Sequence, residues 1–182
     1  MKKIIIALGA VVLAASVQAA AVYWTATNVY AGNSTDKASG VAYFLTTSMA
    51  TVDSWASLNS AAEFTAALNG AYSWTPGTAG TYSMGSSSAV ANATLGLADS
   101  TAYTGYLIVF DTATITDESN YFITNTKDFT TYTGTSNVSV SFGTQKNASQ
   151  NPANWTAVVP EPTSGLLMLV GLAGLALRRR RA

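Results

Sequence analysis

A continuous apolar run in the middle of the chain, Tyr106-Leu107-Ile108-Val109-Phe110, places the strongest constraint on the fold. Gly105 precedes the run and Asp111 follows it, so the apolar segment has the length of a strand. A short apolar run without polar alternation is typical of a strand that is buried on both faces. The sequence therefore predicts a central strand here, enclosed by protein on each side of its sheet.

Further strand patterns lie on both sides of this run. Residues 138–142 read Val-Ser-Val-Ser-Phe, and this strict alternation favours a half-exposed strand. Four more segments are rich in aromatic and β-branched residues and are predicted strands: 22–30, 41–47, 121–125 and 155–159. Turn-forming glycine, proline, asparagine and aspartate residues separate them.

One short helix is predicted to begin at Ser60. Ser60 and Glu63 have the spacing of a capping box, in which the two side chains satisfy exposed amides at the start of a helix. Phe64 and Leu68 are four residues apart and share one helical face. The Asn69-Gly70 pair is typical of a helix end.

These patterns predict a mainly β fold, a single small sandwich-like domain with one short helix. Residues 77–92 are rich in glycine and serine and are predicted to form a long flexible loop, and residues 144–154 are predicted to form a polar loop. We find no internal repeat and no second domain boundary. Residues 20–159 are therefore predicted to form one exported body with a real core.

Residues 160–182 have a different character from the body. Pro160, Glu161 and Pro162 come first, and an apolar run follows over residues 165–177. A helix over that run would be about 20 Å long, shorter than the hydrocarbon core of about 30 Å, although flanking side chains extend it into the interface. The chain then ends in an arginine cluster: Arg178, Arg179, Arg180 and Arg181. Positive residues beside a span stay in the cytoplasm, so the tail is predicted to be a transmembrane helix with its carboxyl end inside.

This three-part tail resembles the PEP-CTERM sorting signal of Gram-negative bacteria. The resemblance covers residues 160–181 and implies that Pro160, Glu161 and Pro162 are recognised by an exosortase. That membrane protease cleaves near the motif and releases or transfers the body. The arginines would be the membrane stop. The alternative is an ordinary tail anchor that follows a proline turn.

Residues 1–19 carry the pattern of a signal peptide. Lys2 and Lys3 precede an apolar stretch over 4–17, and small residues stand where signal peptidase reads the chain. Cleavage is predicted between Ala19 and Ala20, with cleavage after Ala21 as the second choice. The alternative is an uncleaved amino-terminal anchor. The two signals together predict an exported precursor, held in the inner membrane and then delivered to the cell surface or the extracellular space.

The composition excludes several classes of function. The chain contains no cysteine and no histidine, which rules out Ser-His-Asp and Cys-His catalysis and zinc sites built on those residues. The predicted body has three lysines against eight carboxylates, a net charge of −5. A body without a basic patch is a poor partner for nucleic acid. No cofactor and no catalytic residue is predicted.

The acidic residues offer two further interpretations. Asp111, Asp117, Glu118 and Asp128 carry the hard oxygen ligands that calcium prefers, but their spacing does not follow an EF-hand loop. Acids at strand ends usually cap turns or face solvent, and this interpretation is favoured, so no metal site is predicted. A pair of carboxylates facing each other across a cleft would instead indicate a glycoside hydrolase. That enzyme is the remote alternative.

The tryptophans suggest a binding surface. Their rings combine a flat apolar face with a polar handle, which suits sugar stacking and interfaces. Trp74 and Trp155 stand beside turn residues and are predicted to be the most accessible tryptophans, with a possible glycan contact. The alternative is that the aromatic side chains fill a β core.

The sequence thus favours an exported, non-enzymatic component of the cell surface or extracellular matrix. The resemblance implies signal peptidase, an exosortase-like protease and, transiently, the inner membrane as partners. It also implies an association with extracellular polysaccharide and biofilm formation. The first alternative is a carbohydrate-binding module that uses exposed tryptophans.

Overall fold

The structure, a computed structural model, describes residues 19–32 and 35–159. The predicted signal peptide as far as residue 18 lies outside the described residues. The Pro-Glu-Pro motif, the apolar span and the arginine cluster also lie outside them. The described part of the chain is therefore almost the whole predicted body.

Strands dominate the described residues. The strands are β1 (Ala21–Thr27), β2 (Ala42–Thr46), β3 (Tyr72–Trp74), β4 (Thr81–Ser83), β5 (Val90–Ala91), β6 (Ala102–Phe110), β7 (Asn120–Ile123), β8 (Lys127–Thr130), β9 (Asn137–Thr144) and β10 (Thr156–Ala157). The α-helices are α1 (Ala61–Ala67) and α2 (Lys146–Gln150). Short 3-10 helices cover Val52–Ser57, Ser86–Ser88, Asn92–Leu95 and Pro152–Asn154.

The first sheet is built around β1. One edge of β1 pairs in parallel with β9, so that Trp24 lies opposite Val140. The other edge pairs antiparallel with β5 and then with β4. The β9 register shifts beside Thr25 and Ala26, where Gly143 adopts a φ of 69°. Glycine tolerates this left-handed conformation, which allows the extra residue of the bulge.

The second sheet is built around β6. One edge of β6 pairs with β2, and its other edge is shared by β7 and β8. The strand order is β10-β7-β6-β2-β3, with β8 beside β6. A Cβ atom on Gly105 would lie 3.1 Å from the ring of Phe129 and 3.2 Å from that of Phe44. Glycine at this position lets the two rings approach the strand closely.

The side chains of β6 enter two separate cores. Leu107 and Val109 belong to the first core, which lies between the sheets. Tyr106, Ile108 and Phe110 belong to the second core on the opposite face of the second sheet. All five are 0% exposed, so the predicted burial of this strand on both faces is confirmed. The mainly β, sandwich-like fold class is confirmed as well.

The first core joins the two sheets through aromatic and aliphatic side chains. Trp24 of β1 stacks on Phe44 of β2, with ring centroids 4.6 Å apart and planes 10° from parallel. Val22 and Val140 from the first sheet lie in the same core. In β9 the burial alternates along the strand, as the Val-Ser-Val-Ser-Phe pattern predicts.

The second core is covered by the helical segment that follows β2. Trp55, from the first 3-10 helix, stacks on Phe64 of α1 with ring centroids 5.9 Å apart. Phe64 packs edge-on against Phe110 at 5.8 Å. Val158, which follows β10, closes this core from the carboxyl end of the body and is 0% exposed.

The start of α1 confirms the predicted capping. The Ser60 hydroxyl accepts a hydrogen bond from the Glu63 amide at 3.2 Å. Glu63 reaches back to the amide of Asn59 at 2.7 Å, one residue before the position expected for a capping box. The reciprocal arrangement satisfies two exposed amides and fixes where the helix begins.

Two predicted loops contain regular structure. The segment 77–92 includes β4 and β5, because Tyr82 and Met84 alternate with polar residues and enter the first core. The segment 144–154 includes α2, so the prediction of one short helix is incomplete. This helix forms around polar side chains: the Ser149 amide and hydroxyl both donate to the Gln145 carbonyl at 2.8 Å. The lack of apolar periodicity explains why the sequence did not predict it.

Candidate functional site

The junction between the body and its tail is well defined in the structure. The Val158 amide donates to the Ser119 carbonyl at 2.8 Å. Val159 is partly buried against the second core. The predicted final strand over 155–159 is present as the shorter β10. The fold therefore continues to within one residue of Pro160, which lies outside the described residues.

Ser119, whose carbonyl accepts the hydrogen bond from Val158, lies in a hydrogen-bonded turn between β6 and β7. The buried Ser119 hydroxyl shares a hydrogen bond with Thr112 Oγ1 at 2.6 Å and accepts one from the Thr116 amide at 2.9 Å. The Asp111 carboxylate accepts from both the amide and the side-chain Nδ2 of Asn120, each at 2.9 Å. This turn fixes the carbonyl that anchors the end of the body.

The candidate acidic residues are dispersed. Asp117 accepts a hydrogen bond from the Ala61 amide at the start of α1, at 2.7 Å. Asp128 accepts from Thr104 Oγ1 at 2.5 Å, towards the opposite end of β6. Glu118 is exposed. Within residues 19–32 and 35–159, no three His, Cys, Asp or Glu side chains come together as metal ligands. The side chains of Asp111 and Asp117 cap backbone amides, as the turn interpretation expects.

The tryptophans divide into two pairs. Trp24 and Trp55 are fully buried, whereas Trp74 and Trp155 are partly buried. Trp74 packs against the first core, and its buried Nε1 has no hydrogen-bond partner among the described residues. Trp74 and Trp155 are thus the more accessible pair, but neither ring is a free platform.

Trp155 is held in place from several directions. Its Nε1 donates to the Ser149 carbonyl at 2.8 Å. Its ring packs on Phe122 with centroids 5.7 Å apart. A Cβ atom on Gly32 would lie 3.1 Å from the indole. These contacts make Trp155 a structural side chain, and its glycan contact remains a prediction.

An open groove of about 640 Å³ lies where β8 pairs with β6. Thr47, Thr104 and Thr130 line it with hydroxyl groups, and Asp128 adds a carboxylate. Tyr103 supplies an aromatic wall and stacks on Phe129 at 5.9 Å. Hydroxyl, carboxylate and aromatic groups together suit a polyol or sugar. Sequence reasoning missed this groove because its residues come from three separate segments of the chain.

The buried tyrosines act as hydrogen-bond donors. Burial raises the pKa of Tyr82, with a smaller contribution from the charge of Asp111. Its hydroxyl donates to the Gly40 carbonyl at 3.0 Å. Burial also raises the pKa of Tyr106, partly offset by the hydrogen bond from Trp55, and its hydroxyl donates to the Ala50 carbonyl at 2.7 Å. Both hydroxyls stay protonated at neutral pH and serve the cores.

The predicted signal cleavage site lies at the first described residues. Ala19 is exposed, whereas Ala20 is 3% exposed and its carbonyl accepts a hydrogen bond from the Asn92 amide at 2.9 Å. β1 begins at the next residue, Ala21. The first described strand therefore begins one residue after Ala20, and cleavage between Ala19 and Ala20 stays a prediction.

The described residues contain no helix that is both long enough and apolar enough to cross a membrane. The predicted span over residues 165–177 lies outside the described part of the chain.

Comparison with known proteins identifies the tail. The family model of the PEP-CTERM protein-sorting motif matches residues 158–181. No curated protein and no solved structure matches the chain. The chain thus carries a PEP-CTERM sorting motif, which marks an exported precursor that is sorted by an exosortase, a membrane protease.

Proposed function

We propose that this PEP-CTERM sorting motif delivers the body over residues 20–159 to the cell surface or the extracellular matrix. There the body acts as a non-enzymatic structural or adhesive component. The matrix around the body contains extracellular polysaccharide, and the body contributes to biofilm formation. Signal peptidase removes residues 1–19, and an exosortase-like protease then acts on the tail.

The observation that carries this proposal is the position of the motif relative to the fold. The family match begins at Val158, whose side chain is fully buried in the second core. The matched segment therefore begins inside the second core, and no stalk or second domain separates Pro160 from the fold. A signal joined to a fold in this way is expected to deliver the whole body as one unit.

The hydrogen bonds of the acidic and tyrosine side chains support a non-enzymatic role. Asp111 and Asp117 are engaged in capping the backbone, and Asp128 bonds a threonine across two strands. A general acid or base needs a carboxyl group that is directed at a substrate. The buried tyrosines donate to backbone carbonyls. These groups stabilise the fold.

Intact mass spectrometry of the protein recovered from its native host tests the proposal. Surface and medium fractions are expected to contain a species that starts at Ala20 and ends near 160–162, with or without the mass of a linked group. A species that still contains Leu177 and the arginines would instead indicate a permanent inner-membrane anchor. Deletion of 165–181 is the matched control, and it is expected to leave an unprocessed body in the periplasm.

The groove beside Tyr103 favours carbohydrate binding as a second candidate function. It combines an aromatic wall with hydroxyl groups and the Asp128 carboxylate, as described above. Glycan-array binding that is lost in Asp128→Asn, and kept in Trp74→Ala and Trp155→Ala, would place the sugar in this groove. Loss in the tryptophan variants alone would place it at the tryptophans. Absence of binding by the unmodified protein would remove this candidate.

A further inference from the structure

The amino-terminal end of β1 borders a cavity lined by both polar and apolar residues. Ala19, Ala20, Asn92 and Asp99 are among the residues that line this space of about 520 Å³. Ala20 is nearly buried, whereas Ala19 is exposed. The peptide bond that signal peptidase is predicted to cut therefore lies at the wall of this cavity.

Strand pairing holds Ala20 opposite Asn92. β1 and β5 are antiparallel, with Ala21 opposite Ala91, and the Asn92 amide donates to the Ala20 carbonyl at 2.9 Å. Residues that are paired in this way have Cα atoms about 5.5 Å apart, with side chains on the same face. Ala20 and Asn92 both line the cavity, so an amine freed on Ala20 would open into the same space that Asn92 borders.

The Asn92 side chain is only half satisfied. Its Nδ2 donates to Asp99 Oδ1 at 2.7 Å and to the Tyr132 carbonyl at 3.2 Å. The residue is only 3% exposed, and its buried Oδ1 has no hydrogen-bond partner within residues 19–32 and 35–159. A buried acceptor without a donor is costly and marks a place where a donor is missing.

We propose that Asn92 Oδ1 and the Asp99 carboxylate form the binding site of the mature amino terminus. Signal peptidase adds one water across the Ala19–Ala20 bond, which leaves a carboxylate on Ala19 and an amine on Ala20. The amine takes a proton at neutral pH and becomes an ammonium group. It offers three N–H donors in place of one and carries a positive charge. Departure of Ala19 also opens the cavity, so the ammonium binds Asn92 Oδ1 and lies beside Asp99.

This arrangement links export to the final stability of the fold. The uncut precursor has an amide at this position, and none of its described residues donates to Asn92 Oδ1. The mature chain has the donor that the site lacks. The inference rests on the signal cleavage of the proposed function, and its test separates the two.

The test uses the processed protein recovered from the native host. Intact mass first establishes that the chain starts at Ala20. An amine-reactive acylating reagent is then applied, and modification of the α-amine is compared with that of the exposed Lys127 by peptide mapping. A bound ammonium is expected to react several-fold more slowly in the folded protein than in the denatured protein. Equal rates in both states with a confirmed Ala20 start would overturn the binding site while leaving export intact.

A matched pair of variants makes the test independent of reactivity. Insertion of one alanine between Ala19 and Ala20 moves the ammonium one residue away, and Tm is expected to fall by about 2 to 4 °C. In the Asp99→Asn background the same insertion is expected to cost clearly less. Glu118→Gln, at an exposed carboxylate that does not line the cavity, is the control and should preserve the full cost. An insertion without effect on Tm in the parent chain, or with the same effect in Asp99→Asn, would contradict the proposal.

Discussion

The two cores of the body share one strand but are closed in different ways. The first core is enclosed by two sheets, whose central strands β1 and β6 are paired on both edges. The second core is enclosed by one sheet and by segments outside the sheets: the helical region 52–67 and the residues after β10. We infer that the first core depends on pairings between distant parts of the chain. The second core depends on helix caps, turns and the carboxyl end.

Replacement of a central ring in the first core should have the largest effect. Trp24→Ala removes a fully buried indole that stacks on Phe44. The expected loss is about 3–5 kcal/mol of unfolding free energy, measured by chemical denaturation. The control is Trp24→Phe, which keeps a ring while removing an Nε1 that has no partner in the described structure. It should cost much less. Equal losses in the two variants would contradict the stacking argument.

Replacement of the central ring in the second core should have a smaller and more local effect. Phe64→Ala removes a fully buried side chain that contacts Trp55 and Phe110. The expected loss is about 3 kcal/mol, because α1 lies at the outside and can settle into the space. Hydrogen exchange should show faster opening of α1 while the amides of β1 stay protected. Equal loss of protection in both regions would show that the two cores unfold as one unit.

Alkaline pH should weaken the first core through Tyr82. Burial raises the pKa of this residue in the folded protein above its value of about 10 in the unfolded chain. A raised pKa means that the folded state holds the proton more tightly, so stability is complete below pH 10 and falls above it. The expected slope is about 1.4 kcal/mol per pH unit for this tyrosine. Denaturation at several alkaline pH values should give a smaller slope for Tyr82→Phe. An unchanged slope would assign the loss to other groups.

Loss of the α1 cap should have the smallest effect. Ser60→Ala removes the hydroxyl that accepts from the Glu63 amide. The expected cost is about 1 kcal/mol, seen as a lower midpoint in chemical denaturation and as fraying of α1. Ser57→Ala is the control, because the Ser57 hydroxyl donates to the Ser54 carbonyl and caps no helix start. Equal costs for the two serines would contradict a specific role for the cap.

The sequence predicts the first-order features of both cores for physical reasons. The β6 run is apolar at every position because both of its faces are buried, and no tertiary information is needed to recognise it. The cap at Ser60 is a local hydrogen-bonding pattern, so its spacing is also visible in the sequence. Such features are encoded by residues that are close together along the chain.

The remaining features depend on contacts between distant residues. β4 and β5 are very short and become strands because β1 offers them an unpaired edge. Trp155 is fixed by Ser149, Phe122 and the backbone near Gly32, which no local pattern reveals. The groove beside Tyr103 and the cavity beside Asn92 combine segments from different parts of the chain. The spacing of residues along the chain therefore could not predict either site.

The short β10 gives the body a defined response to mechanical load. When the body is pulled by its carboxyl end, the force reaches Val159 and Val158 before β10, which pairs with β7 through only two opposed residues. Release of residues 156–159 therefore requires Val158 to leave the second core and its hydrogen bond to Ser119 to break before the short pair opens. At about 3.3–3.6 Å per residue, the freed segment adds roughly 13–14 Å of extension. Extension then stops at Trp155, whose indole is hydrogen-bonded to Ser149 and packed on Phe122. The end of the body therefore lengthens by a short, limited amount while the first core stays closed.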